Sequence, residues 1–207
     1  MLGRPHGDGK ESRVSVAPIH DYGRYTIYDL DAMPEEGKRY ELADGWLFEL
    51  SPSALHDHTA DRLKDLLKEA AKAAGAEMYV AGGSNDVTTP AGVRKPDVFV
   101  MSKDAARATI ESHARTFYAG DILIVVEVVS PRSGSEQTDR VRKVREYAEA
   151  GIPQYWIVDL EPEPRITVLD RDGDVYRLAR EVKAGQMFSG DFPFVFSFDP
   201  GALGEFG

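Results

Sequence analysis

Residues 122–129 read ILIVVEVV. Both alternating faces of this run are aliphatic, the pattern of a central strand covered on each side rather than of an edge strand with one wet face. The exception is Glu127. An unpaired carboxylate taken out of water costs several kcal/mol even after relaxation, unless a cation or hydrogen-bond donors compensate it. The reading of the chain turns on that compensation.

Working downstream, SGSEQTDRVRKVREYAEAG (133–151) predicts a helix with a Ser-rich N-terminal cap and Gly151 at its end. YWIVDL (155–160) predicts a further buried strand, RITVLDRDGDVYRLA (165–179) a hairpin turning at Asp172-Gly173, and FPFVFSF (192–198) a last edge strand.

Upstream, PDVFVMS (96–102) predicts a strand opened by Asp97, with Pro96 tolerated at its start. The loop and helical piece between the Asp97 and Glu127 strands are long enough for either relative direction. EMYVA (77–81) and NDVTTP (85–90) predict short strands. In 56–75, Leu63, Leu66, Leu67, Ala70 and Ala74 share one helical stripe and Lys64, Lys68 and Lys72 another, which predicts a long amphipathic helix closed by Gly75. KRYELADGWLFELSP (38–52) predicts a hairpin around Ala43-Asp44-Gly45, and TIYDLDAMP (26–34) a short helix capped by Thr26 and ended by Pro34. Together these give an α/β fold, a mixed central β-sheet flanked by helices.

The chain has 207 residues, which suits a single domain over 23–207 behind a disordered, Gly-, Pro- and charge-rich leader, 1–22. No stretch approaches the apolar length of a membrane helix, so no membrane partner is expected. Zero cysteines exclude disulfides and thiolate metal sites and agree with a reducing cytoplasm. The formal net charge of −10 argues against a protein that coats nucleic acid through its own cations. It leaves room for an enzyme whose bound divalent ion neutralises charge locally.

If the Asp97 and Glu127 strands are antiparallel neighbours, the start of one lies beside the end of the other, about 4.8 Å away. Both carboxylates then reach one hard cation such as Mg²⁺, which relieves their repulsion and leaves positions open for phosphate oxygens. In DRVRKVREY (139–147), Lys143 shares a helical face with Asp139 and Tyr147, and its ammonium is placed to orient water and stabilise charge on a phosphate. Glu41 is a further acidic candidate for positioning water. His56, Asp57 and His58 sit at a predicted helix start and read as capping groups. The lysine stripe reads as a solvated face, and Tyr147, Tyr155 and Trp156 as core.

YELADGWLFELSPS, a His-containing helix, RKPDVFV, IVVEVVSP and DRVRKVREYAEAGIPQYWIVD, in that order, resemble the Uma family of restriction endonuclease-like proteins. The resemblance covers about residues 22 to 200. It implies the PD-(D/E)xK nuclease fold, with Asp97 and Glu127 binding Mg²⁺ (or Mn²⁺), helped by the Val128 carbonyl, and a lysine assisting phosphodiester hydrolysis. The usual position of that lysine, two residues after the acid, is Val129 here, so Lys143 on the helix takes the role, with Glu41 as the matching hairpin glutamate. The implied activity is that of a metal-dependent endonuclease on DNA, and cutting two strands would engage a homodimer. Two rivals stand beside it: a non-catalytic interaction or regulatory module, and a hydrolase of a small phosphorylated compound. In the module, Asp97 and Glu127 would meet Arg or backbone N–H groups instead of converging on a cation.

Overall fold

The structure, a computed structural model, describes residues 24–33, 39–129 and 136–205. The expected leader, Pro34, and the Ser133 and Ser135 caps lie outside the described residues. In chain order the elements are helix α1 (Ile27–Ala32), hairpin β1 (Tyr40–Ala43) and β2 (Trp46–Glu49), helix α2 (Ala54–Ala73), strands β3 (Met78–Ala81), β4 (Val87–Thr89), β5 (Gly92–Arg94) and β6 (Val98–Ser102), and helix α3 (Lys103–Glu111). Then come β7 (Phe117–Tyr118), β8 (Ile122–Val129), a π-helical turn (Thr138–Arg142) running into helix α4 (Lys143–Glu149), β9 (Gln154–Asp159), β10 (Arg165–Asp172), β11 (Val175–Lys183), β12 (Phe188–Gly190) and β13 (Phe196–Phe198).

The ILIVVEVV run is β8, an interior strand of a six-stranded sheet ordered β11-β10-β9-β8-β6-β3. It runs antiparallel to β6 and parallel to β9, so the sheet is mixed. Its period of two sorts its side chains into two cores. Ile124, Val126 and Val128 pack with Leu63 and Leu67 of α2 and with Trp156, Phe188 and Phe196. Val125 and Val129 pack on the other face with Phe99, Tyr147 and Tyr155. A second sheet, β2-β1-β5-β4-β7, is capped on one face by α1, whose Leu30 and the following Met33 pack with Leu42 of β1 and Val93 of β5.

The β1–β2 turn falls at Asp44-Gly45, both at positive φ (51° and 81°), the backbone that a two-residue hairpin needs and that Asp-Gly supplies readily. The later hairpin pairs Asp172 with Val175, so its two loop residues are Gly173 and Asp174, one position on from the expected turn. The Phe-rich end departs from expectation. Phe196–Phe198 is no edge strand of the main sheet but pairs with β12 in a separate two-stranded ribbon. Its alternate phenylalanines bury against Trp156 and α2, and that burial outweighs in-plane pairing. Among the described residues no helix is long and apolar enough to cross a membrane.

Candidate active site

The β6/β8 register places Val98 opposite Val126, and its extension by one residue brings Asp97 opposite Glu127 on the same face of the sheet. Asp97 Oδ2 accepts the Val128 N–H at 2.7 Å, which pins the carboxylate beside β8. Its backbone is held from behind by Gly82, where a Cβ would lie 1.9 Å from the Asp97 carbonyl oxygen, so only glycine allows that approach. Helix α2 reaches the same carboxylate: His56 Nε2 lies 3.1 Å from Asp97 Oδ2. Ser53 caps α2 by accepting the His56 N–H, so the helix starts earlier than the sequence suggested and the His56 ring is free of capping duty. Burial alone would lower the His56 pKa, but the hydrogen bond and charge of Asp97 raise it above the usual value.

Glu127 is 3 % exposed. Its Oε1 accepts from the Tyr147 hydroxyl at 2.7 Å and lies 3.0 Å from Lys143 Nζ. Lys143 is also buried, and its ammonium sits 3.1 Å from Glu41 and 3.0 Å from Asp139. One cation thus faces three carboxylates from three separate parts of the fold. Asp139 comes from the π-helical turn, whose wider spacing carries its main chain to the core, where its carbonyl accepts the Tyr155 hydroxyl at 2.8 Å.

Glu41 is held by the Lys95 N–H at 2.9 Å and by Arg94 Nη1 at 3.1 Å. Arg94, at 0 % exposure, also donates Nε to both oxygens of Glu146 at 3.0 Å, and Glu146 takes further bonds from Arg94 Nη2 and the Thr89 hydroxyl. Helix α4 therefore lies between the two sheets. Tyr147 packs on the β8 side, while Glu146 is tied to the β4–β5 side.

The centre is acidic. Five carboxylates (Asp97, Glu127, Glu41, Asp139, Glu146) meet two permanent cations (Lys143, Arg94), a formal excess of three negative charges with His56 neutral. Burial raises the Glu127 pKa well above the usual range, against the pull of Lys143 and with help from Asp97, Asp139 and Glu41. Burial likewise raises Asp139. Burial also opposes ionisation of Glu41, but Lys143, Arg94 and the Lys95 N–H together bring it below its ordinary value. For Lys143, burial is outweighed by Glu127 and Glu41, and its pKa rises well above the usual value, so it stays protonated.

Among the described residues no three His, Asp or Glu side chains converge as a metal shell. The donor chemistry still suits a hard cation. Asp97 and Glu127 offer carboxylate oxygens from facing positions within an acidic excess, and Mg²⁺ is commonly held by one or two carboxylates with water and phosphate filling the rest.

Every sequence-predicted site residue, Asp97, Glu127, Val128, Lys143 and Glu41, thus lies in one connected cluster. Val128 joins it through its N–H. Tyr155 and Trp156 are core, as is Tyr147, which in addition touches Glu127. Of the lysine stripe, Lys68 and Lys72 are exposed as expected, whereas Lys64 is half-buried and pairs with Asp61. Sequence reasoning missed Arg94, Glu146 and the His56–Asp97 contact, whereas Asp139 meets Lys143 as their shared helical face predicted. Arg94 stands three residues before Asp97 and Glu146 three after Lys143, but only the folded chain shows them meeting.

Three comparisons bear on this arrangement. A family model described as "Uma2: Putative restriction endonuclease" matches residues 27–200. No curated protein matches the chain. Among solved structures, a protein described as a "putative nuclease belonging to DUF820" from Anabaena variabilis superposes with a TM-score of 0.59 at 14% sequence identity, covering 78% of this chain and 84% of that one. At that identity the likeness is one of fold.

Proposed function

The chain belongs to the Uma2 family of restriction endonuclease-like proteins, and on that footing we propose that it is a metal-dependent endonuclease that hydrolyses phosphodiester bonds in DNA. The observation that carries this reading is the pair Asp97 and Glu127, facing across antiparallel strands, with the Lys143 ammonium 3.0 Å from Glu127. Asp97, Glu127 and the Val128 carbonyl would hold Mg²⁺ or Mn²⁺, which supplies Lewis-acid charge to a phosphate oxygen and acidifies bound water.

The protein's own groups divide the remaining work. Lys143 is held protonated, so it serves as a donor and a fixed positive charge toward a phosphate oxygen, not as a base. Glu41, held ionised, orients Lys143 and accepts from water. Cutting both strands of a duplex needs two such centres, which a homodimer in the cytoplasm would provide.

The test is divalent-ion binding by calorimetry on wild type, Asp97→Ala and Glu127→Ala, with plasmid and single-strand cleavage on the same samples. Wild type should bind and cut, and both variants should lose the two properties together. A folded wild type that binds no divalent ion and leaves both substrates intact overturns the proposal. One observation favours a second reading, the non-catalytic module: Asp97 already has a backbone N–H, and Glu127 already has Lys143 and Tyr147. That partner set compensates both acids without a metal.

A further inference from the structure

The outer edge of the second sheet carries an aromatic surface that the reading above leaves without a role. In the β1–β2 register Glu41 stands opposite Phe48 and Ala43 opposite Trp46. Cross-strand partners project to the same side, so Trp46 and Phe48 share the face that carries Glu41. The opposite face is already filled by α1. Strand β2 is the edge strand, so this face runs outward from the buried acidic centre, through Glu41 and Phe48, to solvent at Trp46. Trp46 is 65 % exposed. The Arg142 guanidinium lies 5.0 Å over the Phe48 ring, and Arg142 immediately precedes Lys143 in the chain. Arg142 is exposed, and among the described residues no carboxylate pairs with it.

An exposed indole, a phenyl ring and a guanidinium beside a phosphodiester-cleaving centre match the chemistry that holds single-stranded nucleic acid, in which bases stack on aromatic rings and cations meet the backbone. The overall charge of −10 weakens long-range attraction to phosphate, so any contact with a strand rests on a local surface such as this one. A duplex keeps its bases stacked on one another and offers none without flipping. We infer that Trp46, Phe48 and Arg142 form a subsite that stacks an unpaired base of a nucleic-acid strand next to the scissile phosphate; this rests on the nuclease reading and adds its substrate contact.

The two tryptophans make the test direct. Trp156 is fully buried against Phe188 and Phe196, so the red-shifted part of the indole emission reports on Trp46. A labelled thymidine oligonucleotide and a duplex of equal length are titrated without divalent ion at low salt, with binding followed by anisotropy and by red-edge emission. The single strand should quench that emission to saturation and the duplex far less. Trp46→Leu should weaken single-strand binding about 5- to 10-fold, as loss of one stacked base predicts, with Trp46→Phe restoring part of it and Arg142→Gln also weakening it. Thermal melts establish that the variants remain folded.

If the oligonucleotide binds while Trp46 emission stays unchanged and Trp46→Leu binds equally well, the subsite is overturned and the nuclease reading survives. Emission that shifts to the blue with protein concentration alone means that a second copy covers the indole, which also overturns the subsite. If neither substrate binds or is cut in any condition, the proposed function itself falls.

Discussion

Lys143 is the residue on which the centre balances, since its ammonium pairs with Glu41, Glu127 and Asp139 together. Lys143→Met leaves those acids facing one another in a buried site and should cost about 3–5 kcal/mol in urea unfolding. Glu127→Gln should do the reverse. It removes a charge that burial and three neighbouring acids already disfavour, so the melting temperature at neutral pH should hold or rise while divalent-ion binding is lost. A melting temperature that falls sharply would mean that Glu127 is needed to hold Lys143. His56 gives a pH signature in the metal-free protein. Its folded pKa lies above the unfolded value of about 6.5, so its bond to Asp97 stabilises fully below that pH and is lost as pH rises through the folded pKa. The stability gap between wild type and His56→Ala should therefore be widest in mild acid and close in alkali, as urea titrations across pH would show.

Helix α4 is the element that converts two sheets into one site. Its buried side was legible in the sequence through Tyr147, read there as core, and its position beside β8 follows from the short connection between them. What the helical period did not reveal is the π-helical turn before it, because a one-residue widening leaves almost no trace in composition. The tie from Glu146 to Arg94 was equally hidden, since it joins residues distant in sequence. Arg94→Met and Glu146→Leu should each cost roughly 3–5 kcal/mol, while the double variant should cost clearly less than the two combined, because neither member of the pair is then left buried without the other. Additive losses in a double-mutant cycle would show that the two do not act as a unit. Arg94→Met should also loosen Glu41, which shares the same guanidinium.

Across the whole molecule the charge is strongly negative, so nucleic-acid binding must come from a small local surface. The dependence of single-strand affinity on salt should be shallow, with a log–log slope of about −1 to −2 from one to three phosphate contacts at roughly −0.7 each. A slope steeper than about −4 would place a broad basic track elsewhere on the chain. The sheet arrangement was only partly legible. The strands β6, β8 and β9 stand out as apolar runs, whereas β5 and β7 are too short and mixed to signal, and the Phe-rich end reads as a strand without revealing which sheet it joins.

By itself the sequence determined that Glu127 lies in a covered strand, that Asp97 stands at the entry to another, one residue before β6, and that a lysine-bearing helix follows. These are local properties of hydrophobic period and chain order, and they sufficed for an α/β fold with a mixed sheet and for the main acidic pair, while the fold family followed from the resemblance of its motifs to the Uma family. Only the tertiary structure decided how those acids are compensated. The antiparallel register of β6 and β8 brings Asp97 opposite Glu127, while the packing of α4 between two sheets brings Lys143, Glu41, Asp139 and the Arg94–Glu146 tie together. Compensation of a buried charge depends on distances through space between residues far apart in the chain, and those distances exist only once the chain has folded.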